Sequence, residues 1–383
     1  MADINRNRKS HQQMFTIPLL AILFFVIANV LFAIINPPLG YISLYDNLFI
    51  GRERFPFGEN SSEAYNLSID NVNAMFESHE IESIKPDEEY SVFIIGDSSV
   101  WGTLLEPQDT LAGLLDSYGM WESTSNLPVR VYNLGYPTIS LMKDLMILEE
   151  SLSYQPDLII WMVTLEAMPW DKQLSSPIVA NNSDRVMQLV TQMDLGEKIS
   201  AEDIDTPSFY ERTIIGRRRE IADIVRLQLY GFLWAATGID QYYPDSYTPA
   251  QIDLEADAGY YEFTPGEFSS DDLAFSIIEA GKSICDEQTT NLMIVNEPIL
   301  ISAGANSDIR YNFYYPRWAY DQYRVYLQDY ADEQDWQLID LWDLVLVNEF
   351  TNSAIHLSPD GEAMLAEEVK LYMETIGILS EVQ

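Results

Sequence analysis

Residues 15–35 read FTIPLLAILFFVIANVLFAII, a run whose only polar side chains are Thr16 and Asn29. As a helix rising 1.5 Å per residue it covers about 30 Å, the thickness of a bilayer's hydrocarbon core. A helix that apolar on every side must be covered by lipid or by protein all round. Arg6, Arg8 and Lys9 stand just before it. Because basic residues stay on the cytoplasmic side, residues 1–14 are expected in the cytoplasm and 15–35 in the lipid bilayer. Everything after Ile35 is then extracytoplasmic. A cleaved signal peptide needs a shorter apolar core and a small-x-small cleavage site. Here the run continues into Asn36-Pro37-Pro38 without one. The expectation is a signal-anchor, and so a single-pass cell membrane protein.

Composition narrows the partners. Sixty acidic against 21 basic side chains give a net charge of −39, which leaves no Lys/Arg surface for nucleic-acid phosphates. An apolar fraction of 47% excludes a disordered chain. Cys285 is the single cysteine, so no internal disulfide framework and no cysteine-based zinc site can form. With only His11, His79 and His356, neither a metal nor a cofactor is expected.

Residues 36–88 read as a juxtamembrane stalk or cap, with Pro37-Pro38, the polar run Gly58 to Ser62, and a helix around Ile69 to Glu77. From residue 89 to the end a different pattern holds. Short apolar runs at Ser91–Ile95, Val129–Leu134, Asp157–Thr164, Asn291–Asn296 and Trp336–Leu341 predict strands. Helical stretches at Thr110–Tyr118, Ser140–Leu152, Asp271–Cys285, Tyr320–Glu333 and Pro359–Thr375 separate most of them. Such alternation predicts a parallel sheet covered on both faces. Residues 170–265 are too long for a loop and predict a helical insertion. Its core is Glu211 to Gly238, with Arg217-Arg218-Arg219 near the start. Two places stay open for that helix: on the membrane surface, or packed against the sheet domain.

In an open parallel sheet, function gathers at the carboxyl ends of the strands. The first strand is followed by Gly96-Asp97-Ser98-Ser99. Gly96 permits a sharp turn, Asp97 can cap, and Ser98 lands where backbone N–H groups favour developing negative charge. That position suits a nucleophile whose attack creates an oxyanion. The second strand runs into Asn133-Leu134-Gly135-Tyr136-Pro137, and Ser358-Pro359 places His356 just before a helix start. His11 is expected in the cytoplasm and His79 lies away from any strand end. If a histidine serves as general base, it is His356.

These residues resemble the SGNH/GDSL hydrolase superfamily: Gly96-Asp97-Ser98 after a strand, Gly135 after the next, and His356 with Leu357-Ser358-Pro359-Asp360-Gly361 near the chain end. The resemblance covers about residues 88–375 without the insertion. It implies a three-layer, flavodoxin-like α/β fold, with Ser98 as nucleophile and His356 as base. It further implies that the N–H groups of Ser98 and Gly135 are oxyanion donors. Relatives in this superfamily act on ester bonds of acylated sugars, lipids or wall polymers, and some membrane-anchored ones transfer acyl groups to exported polysaccharides. The implied activity is therefore that of a serine esterase or O-acyltransferase on an acylated glycan or cell-envelope polymer.

Two departures bear on that activity. The third strand ends Met162-Val163-Thr164-Leu165-Glu166, without the asparagine that completes the family's oxyanion hole, so Thr164 is the substitute to examine. The family's acid lies three residues before the histidine, where this chain has Ser353, with Asn352 beside it. Asp343 and Glu349 are the nearest stand-ins, with Asp340 upstream of them. Glu166 and Glu297, each after a strand, and Asp97 are cleft candidates. The aromatic set Tyr311, Phe313, Tyr314, Tyr315, Trp318 and Tyr320 is either a sugar-stacking wall or core. Asn60, Asn66 and Asn181 sit in N-x-Ser sequons, which matter only in a glycosylating pathway. The departures also admit a second class of function, a catalytically inactive SGNH-fold protein that binds or assembles at the cell surface.

Overall fold

The computed structural model describes residues 2–39, 44–55, 71–83, 88–237 and 247–380. The N-terminal helix α1 (Ala2–Ile35) contains the apolar run. Among the described residues Thr16–Ile35 is the one segment long and apolar enough to cross a membrane. Two short helices follow, α2 (Leu44–Leu48) and α3 (Val72–Glu77).

The sheet domain then runs β1 (Tyr90–Ile95), α4 (Ser98–Trp101), α5 (Leu111–Ser117), β2 (Val129–Asn133), α6 (Leu141–Ser151) and β3 (Leu158–Val163). The insertion holds α7 (Pro177–Ala180), α8 (Ser183–Gln192) and α9 (Arg218–Thr237). The chain closes with α10 (Phe275–Glu287), β4 (Asn291–Asn296), α11 (Arg317–Gln334), β5 (Gln337–Asp340) and α12 (Pro359–Thr375).

The five strands are parallel, in the order β2-β1-β3-β4-β5. That is the flavodoxin-like doubly wound order, whose switch point lies between β1 and β3. Side chains alternate across the pleat. Phe93, Ile95, Ile159, Trp161, Leu292 and Ile294 face one core, beside α6, α10 and α11. Val92, Ile94, Ile160, Met162, Met293 and Val295 face the other, beside α5 and α12. Both faces are apolar, which is why these strands read as unbroken apolar runs.

The helices begin where the sequence offers caps. Thr110 accepts from Gly113 N at 3.2 Å, Ser140 from Lys143 N at 3.3 Å, and Ser358 from Gly361 N at 3.1 Å with Pro359 behind it.

Over the described parts of residues 36–88, read from the sequence as a stalk or cap, side chains pack onto the sheet domain. Phe55, Val72, Met75, Phe76 and Ile81 are buried in the α6 side of the core. Arg54, 1% exposed, stacks on Trp101 at 4.0 Å and donates to the carbonyls of Trp101 and Gly102 at 2.6 and 2.9 Å. Trp101 Nε1 in turn donates to Phe55 O at 2.9 Å. These residues brace α4 from behind. The run Gly58 to Ser62, with Asn60, and also Asn66 lie outside the described residues. The first half of the insertion also joins the main core, through Ile178, Val179, Val186, Leu189 and Val190. Asn181 caps the exposed end of α7.

Candidate active site

The loop after β1 is shaped around Ser98. Asp97 Oδ1 accepts from Ser99 N at 2.8 Å, capping α4, which is a single turn and too short to sum a helix dipole. The individual N–H groups of its first turn matter instead. Gly96 is required here, because a Cβ would lie 2.5 Å from Val100 Cγ2.

His356 arrives from the opposite end of the chain. Phe350 and Leu357 bridge antiparallel, and Thr351 N and Oγ1 donate to His356 O at 2.8 and 3.1 Å. The loop is tied to the segment after β4 by Leu300 N donating to Ala354 O at 2.7 Å. The result is a separation of 2.8 Å between His356 Nε2 and Ser98 Oγ, although the two stand 258 positions apart in the chain. On the other side of the ring, Nδ1 lies 2.8 Å from Asn352 Oδ1. With Nδ1–H donating to that amide oxygen, Nε2 is left as the acceptor for the serine hydroxyl. Desolvation at this half-buried position pulls the imidazole down to about 4, so it is neutral at ordinary pH.

Beneath the pair lies a layer of buried ionisable side chains. Ser99 Oγ donates to Glu297 Oε2 at 2.5 Å. Glu297 and Glu362 both line a small cavity with Val100, Met162, Ile355 and Leu365. Burial, with the nearby Asp97 charge adding to it, raises the Glu297 carboxyl well above the usual range. Burial alone pushes Glu362 up to about 8. Lys143, fully buried, ion-pairs with Asp144 and donates to Gly96 O and Tyr136 O at 2.7 and 2.9 Å. It ties the loops after β1 and β2 together from a single side chain on α6. Replacing it by methionine takes this donor from Tyr136 O, leaves Gly96 O with the N–H of Tyr136 alone, and removes the cation beside Asp144 in the interior. Denaturant unfolding of Lys143→Met is expected to show a loss of about 3–5 kcal/mol. A loss under about 1 kcal/mol would mean the buried pair contributes little beyond what methionine supplies.

Strand order β2-β1-β3-β4-β5, a Gly-Asp-Ser turn directly after β1, and a histidine just before the last helix that reaches that serine coincide here. The chain has an SGNH/GDSL-type fold. No protein-family profile matches the sequence, and no curated protein matches it either. Similar solved structures include an aryl esterase of M. smegmatis, with 13% identity over 76% of this chain and 99% of that one, TM-score 0.35. A member of the lipolytic G-D-S-L family from Veillonella parvula is 10% identical over 73% and 96%, TM-score 0.34. A carbohydrate acetylesterase from Sinorhizobium meliloti is 13% identical over 75% and 100%, TM-score 0.33. Likeness this distant carries no argument by itself.

Set against an SGNH-type site, several expected residues sit differently. Gly135 N–H donates to Asn133 Oδ1 at 2.9 Å, two residues back, while Asn133 Nδ2 donates to Val100 O at 2.8 Å. This local Asx-type turn engages the donor that the resemblance assigned to the oxyanion. The glycine is needed for another reason: a Cβ would lie 2.3 Å from Trp101 N, inside the backbone of α4. Thr164 is buried and its hydroxyl pairs with Tyr315 OH at 3.0 Å, so it supplies no free hydroxyl in place of the missing asparagine.

The acid candidates are corrected too. Asn352, not Ser353, holds Nδ1; Ser353 is buried and hydrogen-bonds Tyr314. Asp343 is exposed, Asp340 pairs with Arg324 at 2.7 Å, and Glu349 accepts from the capping Ser358 at 2.5 Å. Among the described residues no carboxylate hydrogen-bonds His356. Of the cleft candidates, Glu297 lies under the dyad rather than in an open cleft. Glu166 pairs with Lys172 at 2.9 Å and accepts from Tyr261 OH of the insertion. The aromatic set is mainly core, with Tyr311, Tyr315 and Tyr320 at most 5% exposed. Trp318 and Tyr314 are half-buried, and Phe313 alone is exposed.

Proposed function

We propose that the chain is a membrane-anchored, extracytoplasmic serine esterase or O-acyltransferase that acts on an acylated glycan or envelope polymer. The observation that carries this reading is the 2.8 Å contact of Ser98 Oγ with a neutral His356 Nε2. A general base must lie within hydrogen-bond reach of the proton it takes. Ser98 Oγ attacks the ester carbonyl carbon while its proton passes to His356 Nε2. The tetrahedral oxyanion meets the N–H of Ser98 in the first turn of α4, which has no protein acceptor among the described residues. Collapse breaks the carbon–oxygen bond of the ester, and His356 returns the proton to the leaving alkoxide. Water or a sugar hydroxyl, deprotonated by His356, then attacks the acyl-serine and releases Ser98. Asn352 holds the tautomer through Nδ1–H but brings no charge to the imidazolium.

The second reading, a non-catalytic binding protein, draws on the engaged Gly135 N–H and on that missing charge. A fluorophosphonate probe added to the full-length chain in detergent separates the two. Covalent labelling mapped to Ser98 is expected of the enzyme. Absence of labelling at Ser98 at high probe concentration favours the binding protein.

A further inference from the structure

The insertion touches the apolar run itself. Within residues 16–35, Asn29 and Ala33 are the buried side chains, 6% and 3% exposed, with Phe32 between them half-buried and the others exposed. Asn29 Oδ1 accepts from Ile215 N at 3.1 Å, and Arg217 lies 5.8 Å over the Phe32 ring while donating to Pro37 O at 2.9 Å. Asn29 stands six residues before Ile35, so the turn carrying Ile215 sits about 9 Å inside the end of the run.

Four of its backbone N–H groups are matched internally. Arg212 N donates to Ser208 O, Thr213 N to Tyr210 O, Gly216 N to Thr213 Oγ1 and Arg217 N to Thr213 O. Backbone so closed on itself suits a place where water is scarce. Among the described residues no side chain of the helix that follows, α9, belongs to either core beside the sheet, so the sheet-packing alternative is set aside. The helix packs on α2 and the residue just after it, with Leu44 N donating to Gln228 Oε1 at 2.7 Å and the Phe49 and Phe232 rings 5.7 Å apart. Leu44, Leu48, Phe209, Leu229, Phe232 and Leu233 are all more than half exposed, Leu229 at 73%. Five arginines fall within residues 212–226 against Glu220 and Asp223, in a chain of net charge −39. Of these, Arg218 and Arg219 are exposed at the start of α9.

We propose that α9, its leading turn and α2 form a membrane-seated foot, with their apolar side chains in the leaflet where α1 ends and Arg218 and Arg219 at the lipid phosphates. Continuity with the apolar run decides the occupant: a surface joined to α1 at that depth meets lipid before anything else. An amphipathic helix of this kind binds by buried apolar area plus attraction to anionic headgroups. The foot would fix the height of the sheet domain above the bilayer. The inference rests on residues 15–35 spanning the membrane.

The test is nitroxide labelling of the full chain in phosphatidylcholine–phosphatidylglycerol nanodiscs, with Cys285→Ala as background. Labels go at Leu229→Cys and Phe232→Cys, with Ile27→Cys in α1 as the lipid reference and Val325→Cys in α11 as the water reference. Collision with oxygen exceeding collision with a water-soluble nickel chelate by severalfold at 229 and 232, as at 27, is the expected result. If 27 reads lipid but 229 and 232 read water like 325, the foot is wrong and the anchor stands. If 27 itself reads water, the span fails and the foot with it. Shielding of 229 and 232 from both reagents, or spin–spin broadening that grows with copies per disc, means that protein covers the face and overturns the lipid assignment.

Discussion

Ser98→Ala is expected to lower ester hydrolysis by about 10³-fold or more, and His356→Ala by a similar factor. The double variant should be no slower than either single one, because a nucleophile and its base act as a unit and their losses do not add. The geometry behind this is the 2.8 Å Oγ–Nε2 contact and the tie of the His356 loop to the segment after β4. Measured on a soluble acetyl ester, a double variant slower than either single by the product of their losses would mean that the two residues work separately. Unchanged turnover in Ser98→Ala would place the chemistry elsewhere.

Asn352→Asp is expected to make the enzyme faster, by about 10²-fold in kcat. The reverse exchange in serine proteases loses about 10⁴-fold, which bounds the gain. The physical reason is charge. Asn352 Oδ1 accepts from Nδ1–H at 2.8 Å, and a carboxylate in the same place would stabilise the imidazolium that forms when Ser98 is deprotonated. An adjacent opposite charge raises the His356 pKa by about 1–3 units. In the parent chain desolvation holds that group near 4. The base works only when neutral, so activity is lost below its pKa, and the acid limb of kcat/KM moves up from about 4 to between about 5 and 7. Ser353→Asp should not reproduce the gain, since Ser353 is buried against Tyr314. A pH profile that stays in place in Asn352→Asp, with kcat unchanged, would show that the missing charge does not limit turnover.

The sheet was legible because its strands are covered on both faces and so appear as unbroken apolar runs; Asn291–Asn296 matches to the residue. The juxtaposition of Ser98 and His356 was legible as well, because both flank strand or helix starts at one edge of the sheet. What the sequence could not disclose depends on side chains turning back. Asn133 folds onto Gly135 N–H, and Asn352 reaches His356 only because residues 350–357 close as a hairpin. Three residues upstream of the histidine, where the family carries its acid, the backbone instead turns Ser353 inward. The aromatic residues from Tyr311 to Tyr320 gave no local sign of their side, since the same composition serves a binding wall or a core. Arg54 under Trp101 has no local pattern at all: a buried guanidinium stacked on an indole 47 positions away is visible only once the chain is folded.

That arginine has a practical bearing on where the protein can be cut. A soluble fragment beginning at residue 89, the obvious start by strand pattern, would omit Arg54, Phe55 and Phe76. The carbonyls of Trp101 and Gly102 would then face solvent through the gap, and the back of the turn that presents Ser98 would be left open. A fragment that keeps this brace therefore has to begin ahead of Arg54, which couples the reactive serine to the membrane-proximal chain.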